Sequence, residues 1–375
     1  MDSQNVKISI IMPVYNAGEY LTTAINSILC QSFDDFELIC VDDGSTDSSA
    51  VIIKKFMAKD GRIKSVRQSN AGPGVARNTG VEIACGKYII FLDADDFYEK
   101  NLLSSLYGIA EDGNLDVAVA KFDIYNDNKN VYSLPTDEPH SNIFASGHIT
   151  SKNEYPDYIL SSTTGYAWNK LFRSSFIHDK MLAFDPELYV FEDVLFVCSA
   201  LSMAERVGRI DDVLIHHRVY SEQSRSRLFR KYYGQVPVIY KKLKDFLMHR
   251  GMYIPLKKGY LNFSAERCYK IYNLLWEDGK ENLWNMLHDE YVAEFEWITH
   301  DKTAFESMDV YEFVANVSLY TYREFVEREE QGKNINVDLI EKEDVEKKVN
   351  QNQKISRRRE IIKRIFRAKK RNGEM

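Results

Sequence analysis

The sequence is poor in the residues that define several protein classes. Its 375 residues include 8 Pro and 18 Gly, too few for a collagen-like or low-complexity chain. The five cysteines, Cys30, Cys40, Cys85, Cys198 and Cys268, are odd in number, widely spaced and without a C-x-x-C pair. That argues against a disulfide framework and a zinc site. Cys30, Cys40 and Cys85 lie in or beside apolar runs and read as small core residues. Apolar runs such as Ile8–Met12 and Tyr88–Leu92 fall far short of the about 20 residues that span a bilayer. The opening MDSQNVKISIIMPVYN has no basic region followed by a long apolar stretch, so it does not read as a signal peptide. A soluble body in a reducing, cytoplasmic setting is expected.

What is present is a large apolar fraction, 44%, with 13% aromatic residues, which excludes global disorder. The net charge of -7, from 49 Lys+Arg against 56 Asp+Glu, argues against a uniformly basic nucleic-acid binder. The charge is uneven. Residues 354–371 carry ten basic side chains and one acid, Glu360, a local +9 that leaves -16 for the remainder. Ile355, Ile362, Ile365 and Phe366 recur among these bases at near-helical spacing. A basic amphipathic helix of this kind suits an anionic membrane surface. The expectation is peripheral docking at the inner face of the cell membrane.

The first hundred residues alternate strand and helix signals. KISIIM at Lys7–Met12, ELICV at Glu37–Val41, a short run near Ile63–Arg67 and KYIIFL at Lys87–Leu92 read as strands. Between them, Leu21, Ala24, Ile25, Ile28 and Leu29 mark one helical face. A second helix carries Val51, Ile52 and Phe56, and a third carries Val75, Ala76, Thr79 and Ile83. Nearly all-apolar strands separated by helices predict an α/β fold with a mainly parallel sheet covered on both faces. Asp116–Ala120 and Val207–His217 read as later strands. From about residue 227 the pattern turns helical and aromatic, and from 331 it becomes polar and charge-segregated. Three regions are therefore expected: 1–226, a helical appendix over 227–330, and a charged tail over 331–375.

Ligands of such sheets bind beyond the carboxyl ends of the strands. The polar clusters fall there: Asn16, Asp42 with Asp43, and Asp93-Ala94-Asp95-Asp96. A strand ending in D-x-D offers carboxylates from a fixed backbone. Mg²⁺ or Mn²⁺ takes such oxygens together with substrate phosphates and neutralises a diphosphate leaving group.

Four blocks come in order at these ends: Pro13-Val14-Tyr15-Asn16, Asp42-Asp43-Gly44-Ser45-Thr46-Asp47, Asn70-Ala71-Gly72-Pro73-Gly74-Val75-Ala76-Arg77-Asn78, and the D-x-D. Together they resemble the family-2 inverting glycosyltransferases of bacterial surface-polysaccharide type, which have the GT-A fold. The resemblance covers about residues 6–225. It implies that Asp43 reads the nucleobase, and a carboxylate suits the N3–H of uracil, so a UDP-sugar donor is implied. Pro13 and Tyr15 would line the uracil and ribose pocket, and Asn70 would face the base or ribose. The turn at Gly72 would approach the donor. Arg77 would lie near the diphosphate, Ala94 in the donor site, Asp93 on ribose or metal, and Asp95 on metal. Asp42 and Asp47 read as holding the turn and the helix start.

Inversion needs a base for the acceptor hydroxyl. Glu192-Asp193 resembles the family's E-D motif, which makes Asp193 the base and leaves Glu192 to orient the acceptor. Trp168 and Asn169 resemble a block near the acceptor, a glycan or lipid-linked glycan. His217 would add a metal ligand or touch phosphate, and Arg218 would bind diphosphate or an anionic acceptor, followed by Ser224-Arg225-Ser226. A sugar-nucleotide pyrophosphorylase would need a Gly-rich phosphate loop that Pro13–Tyr20 lacks. A non-catalytic nucleotide-binding protein on the same fold is the second reading, and Asp93, Asp95 and Asp193 speak against it.

Overall fold

The computed structural model describes residues 6–135, 145–219, 229–297 and 302–332. Nine strands form one sheet: β1 Ile8–Val14, β2 Phe36–Asp42, β3 Ile63–Arg67, β4 Tyr88–Phe91, β5 Phe97–Tyr98, β6 Val117–Asn126, β7 Val131–Ser133, β8 Lys170–Arg173 and β9 Val207–Val219. They lie in the order β3-β2-β1-β4-β8-β6-β9-β5, with β7 paired to β6. β3, β2, β1 and β4 are parallel neighbours. β8 runs antiparallel between β4 and β6, and β9 returns parallel to β6. The sheet is thus parallel where the nearly all-apolar strands fall, with antiparallel pairings at β8, β7 and β5 where the pattern is mixed. The later strands also extend past their expected ends, to Asn126 and Val219.

Every residue of β2 is buried, because both faces of the sheet are covered. On one face lies the helix Leu21–Leu29 (α1), whose Leu21, Ala24, Ile25 and Ile28 form a single stripe against Ile10 and Met12. On the other, Ala76 of the third helix meets Ile39 and Val41. The second and third helices are Ser49–Met57 (α2) and Pro73–Ile83 (α3). Each fully buried aliphatic side chain stabilises the fold by about 1.5–3 kcal/mol. α3 departs from the expected face. Ile83 is exposed, and the buried face is built from Pro73, Gly74, Ala76, Arg77 and Gly80, because this helix carries a buried cation. Cys40 is buried as expected, but Cys30 and Cys85 are exposed. They sit at the ends of apolar segments, where the chain leaves the core. The remaining helices of this part are Leu102–Asp112 (α4), Ser174–Asp179 (α5) and Glu192–Met203 (α6).

The chain divides into two compact units. The first ends at Phe229 and takes in Phe246–Leu256 as well; the second holds Arg230–Asp245 and, among the described residues, 257–332. The expected boundary at 226/227 lies outside the described residues, and the helical appendix is interrupted by a segment that belongs to the first unit. Further helices follow: Phe229–Tyr232 (α7), Gln235–His249 (α8), Lys257–Leu274 (α9), Glu277–Met286 (α10), Met308–Leu319 (α11) and Tyr322–Glu330 (α12). The second unit has its own core, with Tyr260, Trp284, Phe295 and Trp297 fully buried. Lys244 and Lys257 close on Glu296 at 2.9 and 2.6 Å. Among the described residues no helix is long and apolar enough to cross a membrane. The basic segment 354–371 and Ser224–Ser226 lie outside the described residues.

Candidate active site

The carboxyl edge of the parallel strands gathers the polar residues. After β1, Tyr15 projects 53% exposed, next to the half-buried Pro13. Asn16 adopts φ 49°, and its Oδ1 accepts from Thr46 N at 2.8 Å. Asp42 accepts from Ser45 N at 2.8 Å and pairs with Arg67 at 3.3 Å. Asp47 accepts from Gly18 N and Ser49 N at 2.8 and 2.9 Å. Both acids therefore hold the turn and helix start.

Asp43 is buried, and its carboxylate accepts from Gln68 Nε2 at 2.8 Å and from the backbone N–H groups of Ala71 and Gly72, both at 2.9 Å. Three donors occupy most of the about four lone-pair sites of a carboxylate. Asp43 thus fixes the loop that bears the exposed Asn70 and keeps one lone pair, on Oδ2, for another donor.

The first turns of α3 grip the segment that leads into α6. Asn78 exchanges two hydrogen bonds with the backbone of Phe184, at 2.8 and 2.9 Å. A Cβ on Gly74 would come within 3.2 Å of Glu192 Cγ. Arg77 is buried; its Nη1 donates to Glu192 Oε1 at 2.9 Å and its Nη2 to Asp93 Oδ1 at 3.0 Å. Its Nε, also buried, has no hydrogen-bond partner in the structure. The guanidinium so joins the turn after β4 to the E-D pair at the start of α6. Its two terminal nitrogens are engaged by carboxylates. Glu192 is buried too, and it receives Arg77.

Asp193 follows in the first turn of α6. Burial, with Glu192 adding to it and Arg77 opposing, pushes its carboxyl up to about 7, which is where a general base works best. Lys170, fully buried at the start of β8, donates from Nζ to Thr164 O at 2.8 Å, Tyr166 O at 2.7 Å and Asn169 Oδ1 at 2.8 Å. Burial lowers its pKa to about 7, with Asp193 pulling the other way. Three acceptors match the three N–H bonds of an ammonium.

Asp93, Asp95 and Asp96 bring carboxylate oxygens within 4.8 Å of one another. Ala94 between them is buried, which turns its neighbours outward. Asp96 is spent inside: it accepts from Arg218 N at 2.8 Å and from His217 Nδ1 at 3.1 and 3.2 Å. Burial alone would lower the His217 pKa, but the Asp96 carboxylate outweighs it and holds the imidazole up at about 9. Hard oxygen donors that converge at a strand end fit Mg²⁺ or Mn²⁺. With its pKa at about 9, His217 is an imidazolium near neutral pH, with both ring nitrogens as donors, and the convergent group is Asp93, Asp95 and Asp96 without it. Arg218 is held on three sides. Its Nε donates to Asp95 O at 2.9 Å, it pairs with Asp127, and it lies over the rings of Tyr20, Phe97 and Tyr125 at 4.8–5.3 Å. It buttresses the D-x-D turn from behind.

On the β8 side, Trp168 is 3% exposed. Tyr166 and His217 stack on its indole at 4.9 and 5.0 Å, and Phe122 meets it edge-on at 4.6 Å. The ring is built into the fold with no face left for a sugar. Asn169 is buried, with Nδ2 on Ala120 O at 3.0 Å and Oδ1 on Lys170, so its amide braces the loop.

Comparison with known proteins places this arrangement. Residues 9–176 match glycosyl transferase family 2. That match, with the glycosyltransferase relatives that follow, supports a family-2 glycosyltransferase over residues 9–176. It is 32% identical over 215 residues to the uncharacterized glycosyltransferase EpsJ of Bacillus subtilis, covering 56% of this chain and 60% of that one. It is 29% identical over 287 residues to the uncharacterized glycosyltransferase YibD of Escherichia coli, covering 72% and 80%. Its fold is similar to that of Staphylococcus aureus TarS 1–349 crystallised with UDP-GlcNAc, with TM-score 0.68 and 22% identity over 88% of this chain and 93% of that one. The chain thus spans less than two-thirds of the length of EpsJ, and the fold is GT-A.

The four sequence blocks, inside the matched residues, and the E-D pair, beyond them, meet at one sheet edge, where Arg77 ties the D-x-D turn to the E-D pair. Three residues of the site escaped the sequence. Asp96 is the last acid of the D-A-D-D run, and nothing in the run tells which acid turns inward. Lys170 stands in the W-N-K block, but the burial of a lysine leaves no mark on hydropathy. Tyr166 precedes Trp168 by two residues, and the larger ring drew the reading.

Proposed function

We propose that the chain is an inverting glycosyltransferase that moves a sugar from a nucleotide-sugar donor to a hydroxyl of a glycan or lipid-linked glycan acceptor. A UDP-sugar suits the lone pair that Asp43 retains, since uracil offers an N3–H where cytosine offers an acceptor. Tyr15, Pro13 and Asn70 would flank the nucleoside. The observation that carries the reading is Asp193: a carboxyl held near neutrality in a wall of acids, tied through Glu192 and Arg77 to the D-x-D turn.

In the reaction, Asp193 takes the acceptor's hydroxyl proton while the hydroxyl oxygen bonds to the anomeric carbon. The bond from that carbon to the diphosphate oxygen breaks on the opposite face, and the nucleoside diphosphate leaves with the electron pair. Glu192, expected to orient the acceptor, is instead buried on Arg77, and its charge raises the Asp193 carboxyl. Asp93 and Asp95 would hold Mn²⁺ or Mg²⁺, and His217, positioned by Asp96, would touch phosphate as a cation. When bound, the ion supplies positive charge against the diphosphate. Ten basic side chains in residues 354–371 would draw the chain to an anionic membrane surface, each contributing about 1 kcal/mol, where a lipid-linked acceptor resides.

The deciding experiment screens UDP-sugars for UDP release with Mn²⁺ present, for wild type and Asp193→Asn. Turnover by the variant should fall about 10²- to 10⁴-fold with UDP affinity retained. Equal turnover would remove Asp193 as the base. UDP binding without release from any donor would favour a non-catalytic nucleotide-binding protein.

A further inference from the structure

We propose that Tyr166 is the platform of an acceptor subsite, carrying a pyranose ring between the base and the metal side of the site. This rests on the glycosyltransferase reading above. Four observations carry it. β8 runs antiparallel beside β4, with Leu171 opposite Ile90. The loop that enters β8 therefore stands at the same edge as the D-x-D turn, and across β4 from Asp43. A donor with its nucleoside over β2 and β1 and its diphosphate at β4 leaves the acceptor to the β8 side.

The loop is rigidly built. Lys170 binds the carbonyls of Thr164 and Tyr166 at 2.8 and 2.7 Å, and Asn169 ties the same loop to β6. Gly165 then lies against α6, where a Cβ would come within 2.9 Å of Val194 Cγ2. Val194 is the residue after Asp193, so the neighbour of Tyr166 touches the base helix. On its other flank the Tyr166 ring centroid is 6.4 Å from that of His217. The two rings are stacked at an interplanar angle of 29°. Tyr166 is nevertheless 42% exposed, whereas the indole that backs it is buried.

A flat aromatic held from behind and open at the surface is what the apolar C–H face of a pyranose needs, while its hydroxyls reach the polar groups around it. The position suits an acceptor rather than a donor sugar, because the adjoining helix carries the base that takes the acceptor's proton.

The test uses the full chain with Mn²⁺ and UDP-GlcNAc or another accepted UDP-sugar, and octyl β-D-glucoside, β-D-galactoside and β-D-N-acetylglucosaminide as acceptor probes. Tyr166→Ala should raise the KM of an accepted glycoside at least tenfold while the Kd for UDP changes less than twofold. Tyr166→Phe, which keeps the ring, should stay within threefold of wild type. An unchanged KM in Tyr166→Ala, or a parallel loss of UDP affinity, overturns the platform and leaves the glycosyltransferase reading standing. If none of the three glycosides is glycosylated, saturation-transfer NMR on the UDP-loaded wild type decides. Signal on pyranose C–H protons that Tyr166→Ala removes supports the platform, and its absence in wild type refutes it. Failure of wild type to release UDP from every donor instead refutes the reading beneath.

Discussion

The two edges of the same sheet each hold a desolvated acid, Glu37 buried and Asp193 half-buried, and they treat it in opposite ways. At the amino edge, Glu37 accepts from Ser9 Oγ at 2.5 Å and Cys85 N at 2.7 Å and pairs with Lys64 at 2.6 Å. Burial pushes its carboxyl up, but these donors outweigh burial and hold it below the ordinary range. At the carboxyl edge, Asp193 faces Glu192 and Asp93, with Arg77 and Lys170 opposing them, and is pushed up to about 7. The first arrangement ties β1, β2, β3 and the turn before β4 into a stable edge. The second keeps a proton available near neutral pH. Burial alone does not mark a reactive acid; the sign of the neighbouring groups does.

The comparison can be broken hardest at Arg77. Arg77→Met removes the cation shared by Asp93 and Glu192 and should cost about 3–5 kcal/mol of stability, the loss expected when one partner of a buried ion pair goes, as read by chemical denaturation. It should also move the acid limb of turnover to higher pH, since Arg77 is what restrains the Asp193 carboxyl. A limb that stays in place would mean that the two are uncoupled. Glu37→Gln should cost less, about 1–3 kcal/mol, and leave UDP affinity as it is. A loss of UDP binding there would erase the distinction between the edges.

A further effect lies in the pH dependence of stability. Glu37 has a depressed folded pKa, so its contribution is present above the unfolded value of about 4.3 and is lost as pH falls through the folded value. Asp193 has a raised one, so its contribution is present below about 3.9 and is lost as pH rises towards about 7. Asp193→Asn should therefore gain on wild type between those limits, by at most about 1.4 kcal/mol per pH unit, and the gain should level off above them. Parallel stability curves for the two proteins would show that Asp193 titrates normally.

Much of this was legible beforehand. The apolar runs at Ile8–Met12 and Glu37–Val41 became parallel strands because burial on both faces leaves no polar alternation to misread. Asn16, Asp43 and Asp93 meet because parallel strands deliver their carboxyl ends to one edge, and Arg77 and Asp193 reach it from the first turns of α3 and α6. The antiparallel β8 was not legible, since four residues reading K-L-F-R carry no direction. Arg77 was legible as a site residue, but its partners were not: Glu192 lies 115 residues further on, and a pairing across that distance is a property of the fold. Trp168 was legible as part of a block near the acceptor, but its burial beneath Tyr166 was not, because it comes from Phe122 and His217, both remote in sequence.

The Arg77 bridge also sets an order of assembly. Its link to Asp93 spans 16 residues and its link to Glu192 spans 115. Loop-closure entropy makes the longer link costlier by about 2 kcal/mol. During refolding the donor-side carboxylate should therefore be caged first and the E-D pair last. Far-ultraviolet circular dichroism should recover before UDP-sugar turnover does, so a newly made chain acquires its shape before its chemistry.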